Sequence, residues 1–188
     1  MSSDHKQPAD QFNLYSISSA WKGHERFAQW LVRQMRPKVI VELGCDYGFS
    51  TIALAQPGIG TVYGIDRFDG PRGGNVFDAC RANIAASGVD NIELIKADFR
   101  ILADSWSRLI DLLHIDGNHT YDDVRRDFEQ WSRHVRDGGV ILLHDTGSFP
   151  LDVGRFFSEI TWPKFEFEHA NGLGVVLKPL LLRQAGSC

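Results

Sequence analysis

Apolar positions along this 188-residue chain follow two alternating patterns. Short runs rich in β-branched residues read as buried strands: Lys38 to Leu43, Gly60 to Ile65, Asn91 to Lys96, Ile110 to Ile115 and Val140 to Leu143. Between them the spacing becomes helical. From Trp21 to Met35, the residues Phe27, Trp30, Leu31 and Met35 fall on one stripe, and Pro37 stops the helix. Phe49 to Ala55 reads as a helix. Asn75 to Ser87 is another, with Phe77, Cys80 and Ile84 inward and Gly88 placed to end it. Tyr121 to Val135 carries Val124, Phe128, Trp131 and Val135 at spacings of four, three and four, and Asp137-Gly138-Gly139 is the turn into the fifth strand.

Strands alternating with helices imply right-handed crossovers and a parallel sheet with helices on both faces. The ending differs. After a helix near Val153 to Ile160 come Lys164 to His169 and Leu173 to Leu177, joined by Ala170-Asn171-Gly172. Asn-Gly between two strand-like runs is a hairpin signal. The expected fold is α/β: a doubly wound, mostly parallel sheet of seven strands that ends in an antiparallel C-terminal hairpin. One domain over residues 21–180 is expected, with no internal repeat or linker. Residues 1–20 form an N-terminal arm, either loose or ordered over a ligand, and residues 181–188 form a tail.

Composition narrows the function classes. Apolar content of 43% and charged content of 23% are ordinary for a soluble domain. A net charge of -4 argues against nucleic acid, since phosphate contacts need clustered Lys and Arg. Arg125 and Arg126 are read as a solvated helix face. Met1 to Asp10 is polar, with no apolar signal core, and no run approaches the ~20 apolar residues that cross a bilayer. Three widely spaced cysteines, Cys45, Cys80 and Cys188, give neither a disulfide framework nor a CxxC metal site. The expected setting is cytoplasmic, without membrane or nucleic-acid partners.

The chemistry collects where strands end. His114-Ile115-Asp116-Gly117-Asn118-His119 closes one run, and Ile141-Leu142-Leu143-His144-Asp145 closes another. Parallel sheets bind ligands at their carboxyl edge, so Asp116, His119, His144 and Asp145 can meet around one metal ion or one reacting hydroxyl. The first strand ends in Gly44-Cys45-Asp46-Tyr47-Gly48-Phe49-Ser50, which opens a helix. Its glycines are spaced G-x-x-x-G, unlike the G-x-G-x-x-G of dinucleotide binders, and no Walker lysine follows. Asp66, 22 residues after Gly44, ends the next strand, where an acid can accept both ribose hydroxyls. Asp98 ends the third strand, where a carboxylate can take an adenine amino group, with Phe99 or Phe68 covering the ring.

The run from Val41-Glu42-Leu43-Gly44 through Gly48, then Gly64-Ile65-Asp66, then Ala97-Asp98, resembles class I S-adenosylmethionine-dependent methyltransferases, which have a Rossmann-like sheet. Ile115-Asp116-Gly117-Asn118-His119-Thr120-Tyr121 through Trp131, with Gly138-Gly139-Val140-Ile141-Leu142-Leu143-His144-Asp145, is similar to a branch of metal-dependent sugar and antibiotic O-methyltransferases. The resemblance covers Lys38 to Leu177 and implies S-adenosylmethionine as cofactor. It places Glu42 near the methionine end, Gly44, Cys45, Gly48 and Ser50 along the cofactor, Asp66 and Arg67 at the ribose, and Asp98 with Phe99 at the adenine. It implies a divalent metal, Mg or Mn, on Asp116, His144 and Asp145, with His119 and Asp116 as catalytic groups. His144 departs from the relatives' all-oxygen pair and leans the set toward transition metals. A neutral His119 would serve as general base.

The methyl acceptor is expected to be a hydroxyl of a small molecule, such as a sugar or natural product. Its specificity would come from Phe12 to Trp21, Arg67 to Asn75 and Thr146 to Trp162. There is no large cap insertion, so the site is either open or closed by a second subunit in a homodimer. Two alternatives stay open at this level: a metal-independent methyltransferase using His119 as base, and a non-catalytic nucleoside-binding module of the same fold.

Overall fold

A computed structural model describes residues 12–69 and 75–180 of the chain. The expected arm over Met1 to Gln11, the glycines Gly70, Gly73 and Gly74, and the 181–188 tail lie outside the described residues. The sheet has seven strands in the order β3-β2-β1-β4-β5-β7-β6. The strands are β1 Val39–Leu43, β2 Thr61–Asp66, β3 Ile92–Lys96, β4 Ile110–Ile115, β5 Val135–His144, β6 Lys164–Phe167 and β7 Leu173–Leu177. Strands β1 to β5 pair in parallel, and β7 inserts antiparallel between β5 and β6, as the Asn-Gly signal anticipates. The helices are α1 Glu25–Met35, α2 Phe49–Ala55, α3 Val76–Ser87, α4 Phe99–Leu102, α5 Tyr121–Ser132 and α6 Val153–Glu159.

The period of two along each strand sorts the core into two layers. Odd-numbered Val41, Leu43, Leu113, Ile115, Ile141 and Leu143 face one side, against Val124, Phe128 and Trp131 of α5 and Phe156 of α6. Even-numbered Ile40, Leu112, Val140 and Leu142 face the other, against Leu31 and Val32 of α1 and Ile52 of α2. Glu42, His114 and His144 share the even parity. The sheet therefore turns three polar side chains toward the α1–α2 layer, and all three are buried there.

Three expectations need correction. The helix expected from Trp21 begins at Glu25, because Gly23 at φ 111° breaks the backbone and Trp21 lies in a turn. The helix expected to reach Val135 ends at Ser132, and Val135 already pairs with Ile110. The expected turn at Asp137-Gly138-Gly139 is instead an irregularity inside β5: the register shifts between Ile110 and Leu112 of the partner strand, and Gly138 takes φ 69°. Within the expected arm, Leu14 and Ile17 are buried in the α1–α2 core.

Candidate active site

The carboxyl ends of β1, β2, β4 and β5 open into one trough. Gly44 leaves β1 at φ 87°, its N–H donating to the Ile65 carbonyl at 2.9 Å. A Cβ at Gly44 would lie 2.1 Å from the Asp116 carbonyl oxygen, so only glycine lets the β1 and β4 ends approach this closely. The Asp66 carboxylate holds the next turn: one oxygen accepts from Cys45 N (2.8 Å) and Asp46 N (3.1 Å), the other from Phe68 N (2.7 Å). Gly48, also left-handed, starts α2, and its bare Cα faces Cys80 Sγ.

Two adjoining cavities share Gly44, Asp66, Asp116, Gly117 and Asn118. One, of about 370 Å3, continues past Cys45, Ser50, Phe68, His119, His144 and Asp145, and is roofed by Ser18 to Trp21. The other, of about 350 Å3, continues past Arg67, Asp98, Phe99 and Arg100. Both are of small-ligand size. Asp98 caps α4, accepting from Arg100 N at 2.9 Å, and lies 3.5 Å from the Arg67 guanidinium. Gly44, Cys45, Ser50, Asp66, Arg67, Asp98 and Phe99 thus line one continuous surface.

At one end of that surface, Asp116, His144 and Asp145 offer ligand atoms that all lie within 4.8 Å of one another. His144 Nδ1 stands 3.4 Å from an Asp116 oxygen and 3.3 Å from an Asp145 oxygen. His119 Nε2 stands 2.9 Å from Asp145 and 3.5 Å from Asp116. These are ion-pair distances without hydrogen-bond alignment. His144 Nδ1, His119 Nε2 and Asp145 Oδ1 are buried atoms lacking a hydrogen-bond partner. Asp145 holds φ 64°, a left-handed conformation uncommon outside glycine that Asp adopts more readily than most residues.

The charges are strongly coupled. Burial alone would lower the pKa of His119, but Asp116 and Asp145 outweigh it and raise it to about 9. Burial likewise opposes a charged His144, and the same two carboxylates raise its pKa to about 10. Burial would raise the pKa of Asp116, yet the imidazoles hold it far below the usual carboxylate range, and Asp145 moves the same way. The neutral His119 expected from the sequence is therefore an imidazolium at pH 7 while it faces two bare carboxylates. Its ring stacks on Phe149, with centroids 4.4 Å apart and planes 10° apart.

Glu42 does not line the trough. It is fully buried, accepts from Thr51 Oγ1, and lies 3.0 Å from His114 Nδ1. The Trp21 indole N–H donates to His114 Nε2 at 3.0 Å. That bond makes Nε2 the acceptor, so Nδ1 carries the proton donated to Glu42. Glu42 is thus the inner end of a buried chain that ties the cavity-roofing Trp21 to β4 and β1. Each buried polar atom in the chain has its partner, as burial requires. His114 is a core residue with polar packing. Replacing Trp21 by Ala removes the roof's anchor and orphans His114. The expected cost is about 3–5 kcal/mol in chemical denaturation, with weaker cofactor binding measured by calorimetry.

Gly48 contributes backbone shape to the loop without reaching either cavity. Tyr121 turns away, donating from its hydroxyl to Glu159 at 2.6 Å. Thr120 caps α5, its Oγ1 accepting from Asp123 N. Cys45 and Cys80 are buried thiols. Burial raises both pKa values, Cys80 to about 12, so neither is a nucleophile near neutral pH.

Ser18 to Ala20 fall in the expected specificity segment Phe12 to Trp21, whereas sequence reasoning missed Arg100. Arg100 borders the second cavity while pairing with Asp123 at 2.7 Å and the fully buried Asp127 at 3.0 Å. Burial raises the Asp127 pKa to about 6 despite that arginine. Asp127 sits four residues after Asp123, so both face one way from α5; helical spacing was the available signal, but their shared partner was not.

Known proteins share this fold and part of this sequence. An uncharacterized protein of Sinorhizobium fredii, y4gI, is 32% identical over 183 residues, covering 90% of this chain. The chain spans 20% of that protein's length. Among solved structures, the O-methyltransferase TomG of Streptomyces achromogenes, which is involved in tomaymycin synthesis and was solved with S-adenosylmethionine, superposes with a TM-score of 0.70 at 15% identity. That match covers 92% of this chain and 91% of TomG. An O-methyltransferase of Bacillus cereus, solved with S-adenosylhomocysteine, gives a TM-score of 0.66 at 19% identity over 89% of this chain and 84% of its own. At these identities the likeness is one of fold. A family model described as a methyltransferase domain matches residues 41–146, from the strand that carries Glu42 to the turn that carries Asp145. With more than half of its length matched, including every strand end that builds the trough, this chain belongs to the methyltransferase domain family.

Proposed function

We propose that the chain is an S-adenosylmethionine-dependent O-methyltransferase that binds a divalent cation at Asp116, His144 and Asp145. One observation carries the reading: a three-residue ligand set, its donor atoms within 4.8 Å of one another, opens into the trough lined by Gly44, Ser50 and Asp66.

The residues fit both groups. For the cofactor, the trough has a glycine floor at Gly44, carboxylates at Asp66 and Asp98, and Phe99 beside Asp98. For the cation, the buried unpartnered atoms His144 Nδ1 and Asp145 Oδ1 belong to the two residues that would ligate it. One nitrogen and two carboxylates suit Mn or another transition ion and also admit Mg. When bound, S-adenosylmethionine supplies an activated methyl group, and a divalent cation supplies Lewis acidity that eases loss of a hydroxyl proton.

The chain's own residues do the positioning. Asp66 fixes the β1–α2 turn and offers its remaining lone pairs to ribose hydroxyls. Asp116 and Asp145 hold compensating charge where the acceptor must lose a proton. His119 lies between those carboxylates and stacks on Phe149; once they are taken by a cation its Nε2 proton is released, and the neutral ring is then placed to accept the hydroxyl's proton at Nε2. Phe149 is 39% exposed and stacks on His119, and a small acceptor would enter from solvent beside this pair. A sugar or polyhydroxylated natural product is the proposed acceptor class; the resemblance to antibiotic O-methyltransferases and the role of TomG support it. Free buried Cys45 and Cys80 accord with a cytoplasmic setting, and no described helix is long and apolar enough to cross a membrane.

The two imidazolium protons and a cation compete for the same carboxylates. Mn affinity should therefore rise with pH from 6 toward 9, by roughly tenfold per pH unit for each proton displaced. Electron paramagnetic resonance titrations across that range check it, and a flat profile removes the competition. Chelation should abolish methyl transfer and Mn should restore it. Activity that survives chelation in stripped protein favours His119 acting without a metal.

A further inference from the structure

The hairpin between β6 and β7 ends against the candidate cation site. The Ala170 carbonyl oxygen lies 2.9 Å from His24 Nε2 and 3.3 Å from His144 Nε2. His144 therefore directs Nε2 to the hairpin and leaves Nδ1 facing Asp116 and Asp145. The next residues clamp the end of β5 through backbone. Asp145 N donates to the Gly172 carbonyl at 3.0 Å; Gly147 N and Ser148 N donate to the Asn171 carbonyl at 2.8 and 3.1 Å. Three successive left-handed residues, Ala170 (φ 48°), Asn171 (71°) and Gly172 (87°), bring these carbonyls round. A Cβ at Gly172 would stand 2.4 Å from both Gly147 N and Thr146 Oγ1, so the approach depends on glycine.

His24 completes the arrangement from the other side. It is fully buried just before α1, and its ring lies edge-on to His144 at 5.7 Å and against His169 at 4.8 Å. Nothing in the methyl-transfer chemistry uses it. Its bond to Ala170 nevertheless fixes the carbonyl that orients His144.

We propose that the Ala170–Gly172 hairpin tip is the orienting element of the cation site, and that His24 and Gly172 are positioning residues for His144 and Asp145. This rests on the reading of Asp116, His144 and Asp145 as cation ligands. A ligating histidine is commonly oriented through its second ring nitrogen, and loss of that partner weakens metal binding on the order of 10- to 100-fold.

The test uses the full chain with Mn as the probe. Mn binding is followed by electron paramagnetic resonance, S-adenosylhomocysteine binding by calorimetry, and the His144 Nε2 proton by NMR of metal-free protein. Expected results are a slowly exchanging His144 Nε2 proton in the parent and Mn binding that Asp116→Asn abolishes. His24→Ala and Gly172→Ala should weaken Mn binding roughly tenfold or more, with S-adenosylhomocysteine affinity retained. His24→Gln, which keeps a donor near the Nε2 position, should recover most of the loss. The proposal is overturned if folded His24→Ala binds Mn as the parent does, if His24→Gln fails to rescue it, or if the parent lacks the protected proton. A protected proton together with no Mn binding in the parent instead overturns the cation site itself, and the orienting role toward it.

Discussion

Asp116→Asn should abolish Mn binding and reduce methyl transfer on the order of 10^3-fold, while S-adenosylhomocysteine still binds. Asp116 is the only carboxylate in ion-pair range of both His119 and His144 besides Asp145, among the described residues. Its loss removes one ligand atom from the triad and half of the negative charge that keeps the imidazoles cationic. The backbone survives, because Asp116 N donates to the Leu43 carbonyl at 2.9 Å and the amide side chain retains the shape. The cofactor surface from Gly44 to Asp98 is carried by other strand ends. Mass spectrometry of methylated products across an acceptor panel, with calorimetry of S-adenosylhomocysteine, separates the two effects. Unchanged turnover in Asp116→Asn would remove Asp116 from the chemistry. Joint loss of turnover and cofactor affinity would make its role structural.

The second large effect is expected at Gly44, where Gly44→Ala should destabilise the fold by on the order of 3 kcal/mol and abolish cofactor binding. Two costs combine there. The φ of 87° is left-handed, which costs an L side chain about 1–2 kcal/mol. The new Cβ would also stand 2.1 Å from the Asp116 carbonyl oxygen, a backbone atom that cannot swing aside. Relief requires β1 and β4 to part at the floor shared by both cavities. Gly58 is the control: it is also left-handed at φ 67°, but a Cβ there meets nothing within 4 Å. Gly58→Ala should show the conformational cost alone and keep cofactor binding. Denaturation midpoints and calorimetry on both variants check this, and equal behaviour of the two would remove the close-approach argument.

The legible part of the site was the part written in local pattern. Strand ends follow from runs of β-branched residues, so Gly44, Asp66, Asp98, Asp116 and Asp145 could be placed at one edge before any coordinates. The antiparallel insertion of β7 was signalled by Asn171-Gly172. Side-chain direction was harder. Glu42 lies one residue inside its strand's end, and its parity sends it beneath the trough, to His114 and Thr51. Trp21 opened the expected helix in sequence, but Gly23 releases it from the helix and lets it reach His114, 93 residues away. Contacts of that range leave no periodic trace. The same holds for Arg100 with Asp127, and for His24, whose partner Ala170 is a backbone carbonyl that any residue type supplies.

The protonation state of His119 in the absence of a cation was not legible for a related reason. An isolated histidine titrates near neutral pH, and the sequence shows nothing to shift it. The structure places two carboxylates within 3.5 Å of one ring nitrogen, and that density of charge decides the outcome.

The most direct measurement is a crystal structure of the chain soaked with S-adenosylhomocysteine and Mn, with data collected at the Mn absorption edge. The account predicts one anomalous peak within bonding distance of His144 Nδ1 and of one oxygen each from Asp116 and Asp145. It also predicts the nucleoside along Gly44, Asp66 and Asp98, with its sulfur end toward that peak. Anomalous density elsewhere, or a nucleoside bound outside this trough, would contradict it.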